Sequence, residues 1–271
     1  MIKKLIKSKL FLVFIALFII LFIRHKLNER NAYFSPTYAY EKVSPSDGYE
    51  RIFKYTGLSP KGAEDILNEG KVSEFDRLNS LYFEKPKIEK EYIFFPTTVQ
   101  ESLERQSTPM VPLKDGDILV TFNTHTLDWR HGHLSIVTDS EIEIILEHMS
   151  IGNTSVFSYA KKWGSYPAFA VLRYPDEKIS KKAAKYAKEK LKDIPYSIFA
   201  GIINKDKSDD ENIDSSHCSH IVWQAYKAVG VDLDSDGGRI VTPMDVAKSE
   251  KLKLVQIFGL NPGEFNNELM K

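Results

Sequence analysis

The sequence predicts an α+β fold: an antiparallel sheet packed on a helix that carries the chain's one cysteine. Three features carry that reading. Short β-branched and aromatic runs cluster mid-chain, at 118–122, 134–138, 142–146 and 168–174. The two central runs are joined by a short connection at Asp139-Ser140. Two helical patterns follow, 180–193 with a lysine-rich solvent face and 214–230 with Ile221, Val222, Ala225 and Val229 at helical spacing.

The elements follow in order. Lys3, Lys4, Lys7 and Lys9 precede an unbroken apolar run from Leu10 to Ile23, followed by Arg24-His-Lys26. The run is short for a spanning helix, and Leu5, Ile6 and a snorkelling Lys9 extend it. No small-residue cleavage site follows, so residues 1–32 read as an uncleaved signal anchor or transmembrane segment. That implies a single-pass protein of the cell membrane, with the rest of the chain extracellular. Residues 33–112 read as a tether and a small helical segment. Ser59-Pro60 opens one helix, with Ala63, Ile66 and Leu67 on a face, and Ser73 opens another, with Phe75, Leu78 and Tyr82. Tyr92 to Pro96 is a short extended run.

The main domain is expected over 113–258. The strand 118–122 leads into a polar loop at 123–130, then strands 134–138 and 142–146, a short helix over 155–163 and a strand over 168–174. Residues 206–214 form an acidic loop. Beyond the cysteine helix, Ile240-Val241 is expected as a strand, Thr242 as a helix cap, 252–258 as a last strand, and 259–271 as a polar tail.

Length and charge bound the function. The chain has 271 residues and a formal net charge of zero. That balance gives no basic excess for binding phosphate and argues against a nucleic-acid partner. A single cysteine excludes an intrachain disulfide framework.

That cysteine is the most informative residue. Asp214, Ser215 or Ser216 can cap the helix start, placing Cys218 in the first turn with its sulfur along the buried face. Free N–H groups and partial positive charge there favour a thiolate. Cysteine is also a common small buried residue. Strand alternation puts His131 and His133 on one side of the chain, either able to meet Cys218. Glu147 and His148 end the neighbouring strand and face opposite ways. Parity sets Glu147 apart from the apolar set Ile142, Ile144 and Leu146, so residue types alone leave the third member open.

Here the chain resembles a family. Gly116-Asp-Ile-Leu119, Trp129 shortly before Gly132-His-Leu-Ser-Ile-Val137, Leu146-Glu-His148, and Cys218-Ser-His-Ile-Val-Trp-Gln-Ala-Tyr226 are similar to motifs of the permuted papain-like amidases, the YaeF/YiiX group. That group is related to the NlpC-type cell-wall cysteine peptidases. The resemblance covers roughly 113–258 and is specific in the order of its motifs. It implies a circularly permuted papain-like domain with Cys218 as nucleophile, His133 as base and Glu147 as third residue, His148 being the reserve. His131 is then a rim residue. The Cys218 N–H serves an oxyanion hole, and the second donor is left open, Tyr196 and Asn123 being candidates by family-like position against ordinary turn or packing roles.

The implied activity is cysteine hydrolysis of an amide or ester, without a cofactor. Peptidoglycan peptide or a lipid or acyl substrate are the partners considered, with the membrane held through the N-terminal helix. Two other classes compete. The first is a non-catalytic surface binding protein. The second is a zinc site from His125, His131, His133, His148, His217, His220 and Cys218, whose spacing matches no zinc motif. Asp232 to Gly237 imitates the start of a calcium loop, but Pro243 stands where the bidentate Glu belongs, so a turn is expected.

Overall fold

The computed structural model describes residues 11–17, 19–20, 33–94, 98–104, 107–126, 129–200 and 213–264. It shows a mixed α+β architecture with two antiparallel sheets. The first helices are α1 (Tyr49–Thr56), α2 (Pro60–Asn68) and α3 (Val72–Leu81). Strands β1 (Ile88–Phe94), β2 (Thr98–Leu103), β3 (Ile118–Thr121), β4 (Thr124–Thr126) and β5 (Trp129–Arg130) follow. Then come β6 (His133–Asp139), β7 (Ile144–Glu147), β8 (Val156–Tyr159), a 3-10 turn (Ala160–Ser165) and β9 (Phe169–Arg173). The chain continues with α4 (Glu177–Lys190), α5 (Cys218–Lys227), α6 (Pro243–Ala247) and β10 (Lys253–Phe258).

The main sheet has the order β10-β9-β3-β6-β7-β8, and the smaller one β1-β2-β4-β5. Side chains alternate along each strand, so the two faces of the main sheet carry different sets. Ile118, Val120, Leu134, Ile136 and Leu146 pack against Ala183 and Ala187 of α4 and Ile221, Val222 and Ala225 of α5. Leu119, Val137, Ile145 and Val171 face the other way. They meet Ile52 of α1, Ile66 of α2, Phe75 and Leu78 of α3, and Trp163 of the 3-10 turn. Both faces are therefore interior, and each fully buried Leu, Ile or Phe adds about 1.5–3 kcal/mol.

A buried ion cluster joins the helical layer to the sheet. Arg173 of β9 donates from Nη1 to Asp65 Oδ2 of α2 at 2.7 Å. Its Nε and Nη2 reach the two Asp117 oxygens at 2.7 and 2.6 Å. The smaller sheet has a counterpart, where Arg130 of β5 grips the buried Glu101 of β2 with two donors at 3.0 Å each.

Several expectations are corrected. The expected transmembrane helix is not borne out among the described residues, where no helix is long and apolar enough to cross a membrane. Residues 11–17 and 19–20 of the apolar run are helical, and the remainder of 1–32 lies outside the described residues. The segment 155–163 is not a helix. It forms edge strand β8, paired in register with β7 from Ile144↔Tyr159 to Glu147↔Val156, and only then the 3-10 turn. The polar loop at 123–130 contributes β4 and β5, because β1 and β2 offer it a sheet to join. Ile240 and Val241 are not a strand, having no neighbouring strand to pair with. Helix α1 lies within the stretch expected as tether. Most of the acidic loop at 206–214 and the tail beyond 264 lie outside the described residues.

Local chemistry explains the helix starts. The Ser59 hydroxyl accepts from Gly62 N, with Pro60 in the first turn. Thr242 and Asp245 form a capping box on α6. Helix α5 is capped by His217, not by Asp214, Ser215 or Ser216. His217 has φ −141° and ψ 174°, so helical geometry begins at Cys218 itself.

Candidate active site

The site lies at one end of the main sheet, where β6 begins, β7 ends and α5 starts. Cys218 is the first residue of α5 and is half-buried as a residue. His133 is the first residue of β6 and hydrogen-bonds with Cys218. Its Nε2 lies 3.1 Å from Glu147 Oε2, which leaves Nδ1 for the sulfur. The register Ser135↔Glu147 sets that acid diagonally across from His133.

Glu147 is almost completely buried, at 1% exposure. Parity along β7 places it with Ile145, away from the face that α5 covers. That does not expose it, because the helical layer and the 3-10 turn cover the other face. Its Oε1 accepts from Ser158 Oγ of β8 and from Lys162 Nζ of the 3-10 turn. The neighbouring residue of that turn, Trp163, stacks on the His133 ring at 5.5 Å and 21°. Ser158, Lys162 and Trp163 escaped sequence reasoning because 155–163 read as a surface helix. Only a strand turning into a 3-10 helix aims them together.

The electrostatics follow from burial and pairing. Burial pushes the Cys218 thiol up, but hydrogen bonds from His133 and then His217, with their charges, outweigh it and hold the thiol well below its ordinary range. Burial disfavours the His133 cation, yet its bonds to Cys218 and Glu147 win and raise it to about 9. Glu147, lifted by burial, is brought down to about 2 by His133 and then by Lys162. The three groups therefore form a thiolate, an imidazolium and a carboxylate at neutral pH.

The other residues singled out by sequence sort clearly. His131 sits at the rim, its Nε2 3.1 Å from Thr126 Oγ1 and its ring 5.7 Å from that of the exposed Trp129. His148 is fully buried and turned away from Glu147 by strand alternation, its ring edge-on to Tyr196 at 4.9 Å. Burial lowers it to about 4. Asn123 is corrected as an oxyanion donor. Its Nδ2 is committed to Glu101 O at 2.9 Å and its Oδ1 accepts from Thr121 Oγ1, far within the protein. Tyr196 is raised to about 12 by burial and then by the Cys218 charge, so it keeps its proton beside the sulfur.

Among the described residues, the histidines and Cys218 do not form a cluster of three ligating atoms within 4.8 Å of one another. The described residues that bring ligating atoms within 4.8 Å of one another are Asp234, Asp236 and Asp245. The first two accept from backbone N–H groups of their own turn, and the third closes the α6 capping box.

No protein-family model matches the chain, and no curated protein matches it. Among solved structures, it is similar to the crystal structure of the metalloprotein yiiX from Escherichia coli O157:H7. The identity is 15%, the match covers 53% of this chain and 97% of that one, and the TM-score is 0.38. The neighbour bears the name of the YiiX group, and the expected relation to NlpC-type cysteine peptidases is not borne out.

Proposed function

We propose that the protein is a cysteine acyl hydrolase acting on an amide or ester carbonyl, within a circularly permuted papain-like domain. The observation that carries this reading is the thiol of the half-buried Cys218 at a helix start, bonded to an imidazole whose far nitrogen is held by a buried carboxylate. A structural cysteine needs none of those partners.

In the proposed reaction His133 holds the thiol proton as imidazolium, and the Cys218 sulfur attacks the carbonyl carbon. The oxyanion that forms is met by the Cys218 N–H, free at the helix start, and by the protonated Tyr196 hydroxyl. Collapse breaks the carbonyl bond to nitrogen or oxygen, and the departing amine or alcohol takes the proton from His133. Water then gives a proton to His133 and attacks the thioester. The carboxylic acid leaves, and the thiol is restored. Glu147 keeps the ring oriented and supports its positive charge throughout. Cell-wall peptide amides and acylated lipids both present such carbonyls.

The test is labelling of the protein with an electrophilic acyl probe, comparing wild type with Cys218→Ser and His133→Ala. Labelling is expected in the wild type alone. Equal labelling of wild type and His133→Ala would refute the assignment, and a Cys218→Ser variant without phenotype would favour a binding protein.

A further inference from the structure

We infer that Lys162 is a positioning residue for the reactive pair, holding Glu147 from behind so that the acid orients His133 without overcharging it. This rests on the Cys218–His133 reading and deepens it. Three observations lead here. Glu147 has two oxygens: Oε2 faces His133, and Oε1 faces Lys162 and Ser158. The carboxylate is thereby gripped at both ends and cannot rotate. Lys162 also lies next to Trp163, whose ring stacks on His133, so one short turn holds both the acid and the base. The lysine itself is one-third exposed, at 34%, while its partner is at 1%. A cation so placed is reached from solvent and can be changed without opening the core.

The charge logic fixes the sign. Three charged members line the site: the Cys218 thiolate, the His133 imidazolium and the Glu147 carboxylate. Without Lys162 they sum to one negative charge, and with it to zero. The other titratable groups near them are His217 on α5, His148 after β7, His131 before β6, and Tyr196 and Tyr166. The partners that Glu147 bonds are His133, Ser158 and Lys162, and Lys162 is the lysine among them. Removing the lysine charge therefore makes every proton in the cluster harder to remove.

The experiment is the rate of Cys218 alkylation by iodoacetamide against pH, with thiolate absorbance at 240 nm as a second reading. In the wild type the thiolate is expected to form well below pH 8.5 and to change reactivity again when His133 loses its proton. In Lys162→Met both transitions are expected to move to higher pH by about one unit, and in Lys162→Arg to return toward wild type. Lys162→Gln serves as a second neutral variant should the methionine protein fail to fold. Both transitions unmoved in the neutral variants, or moved equally in Lys162→Arg, would overturn the inference and leave the cysteine–histidine reading intact. A wild-type thiol that titrates near 8.5 would instead take down that reading, and this inference with it.

Discussion

Two of the buried charge clusters, those of Arg173 and Glu147, are built from the same parts, an acid gripped by cations, and they end differently. In the Arg173–Asp65–Asp117 cluster each acid oxygen that faces Arg173 meets a guanidinium N–H, and Nη2 also reaches Pro112 O at 3.2 Å. The cluster is closed, and it bolts helix α2 to β9. In the Glu147 cluster the chain of bonds runs from Lys162 through the acid to His133 and stops at the thiol of the half-buried Cys218. The difference teaches what burial is for in each place. A closed cluster fixes two layers, whereas one with an open end keeps a reactive atom charged and within reach.

The sharpest break of the comparison is Arg173→Met. It leaves two buried carboxylates without their partner, at a cost of about 3–5 kcal/mol. The expected fall in Tm is about 10 °C. Thermal unfolding checks it, and a loss below about 1 kcal/mol would mean that the cluster is not closed. The matching change in the open cluster is His133→Ala, which should act on reactivity more than on folding. The thiol then returns toward its ordinary range, and alkylation at pH 6 should fall about a hundredfold. A small change in Tm alongside that fall sharpens the contrast.

A third prediction uses the acid itself. Glu147 stands at about 2 in the fold against an ordinary 4.5. A depressed carboxylate contributes stability above its unfolded value and loses it as pH falls through the folded one. Wild-type Tm should therefore drop between about pH 4.5 and 2 more steeply than that of Glu147→Gln. The variant should be the less stable at pH 7, with the two curves converging near pH 2. Parallel curves would show that folding does not shift the titration of this carboxylate.

Much of this was legible in the sequence, and the misses share a cause. Cys218 and His133 stand in short patterns whose local geometry decides their position, a helix start and a strand start. Ser59 and Thr242 announced their helices by cap chemistry, and β3, β6, β7, β9 and β10 by apolar runs. Glu147 was harder. Parity placed it off the apolar face, and nothing local says that a second layer, formed by α1 to α3, covers the other side. Lys162 and Ser158 were invisible because their four-residue spacing fits a helix, and only pairing with β7 makes that segment a strand. Glu101 with Arg130, and Arg173 with Asp65, are contacts across 29 and 108 residues, which no periodicity records.

The smallest predicted effect compares two lysines. Lys61 also touches a buried acid, Asp65, at 3.3 Å, and its side chain is 26% exposed. It resembles Lys162 in burial and in partner. Asp65 is already held by Arg173, however, and Lys61 shares its own charge with the exposed Glu64 at 2.6 Å. Lys61→Ala should cost at most about 1 kcal/mol, as for a surface pair, and leave the alkylation profile of Cys218 unchanged. Lys162 has no such substitute, because no guanidinium stands behind Glu147 and the charge it balances runs on to the sulfur. Measured together, the two alanine variants separate a lysine that decorates a closed cluster from one that completes an open one. An equal shift in thiol reactivity from both would erase the distinction.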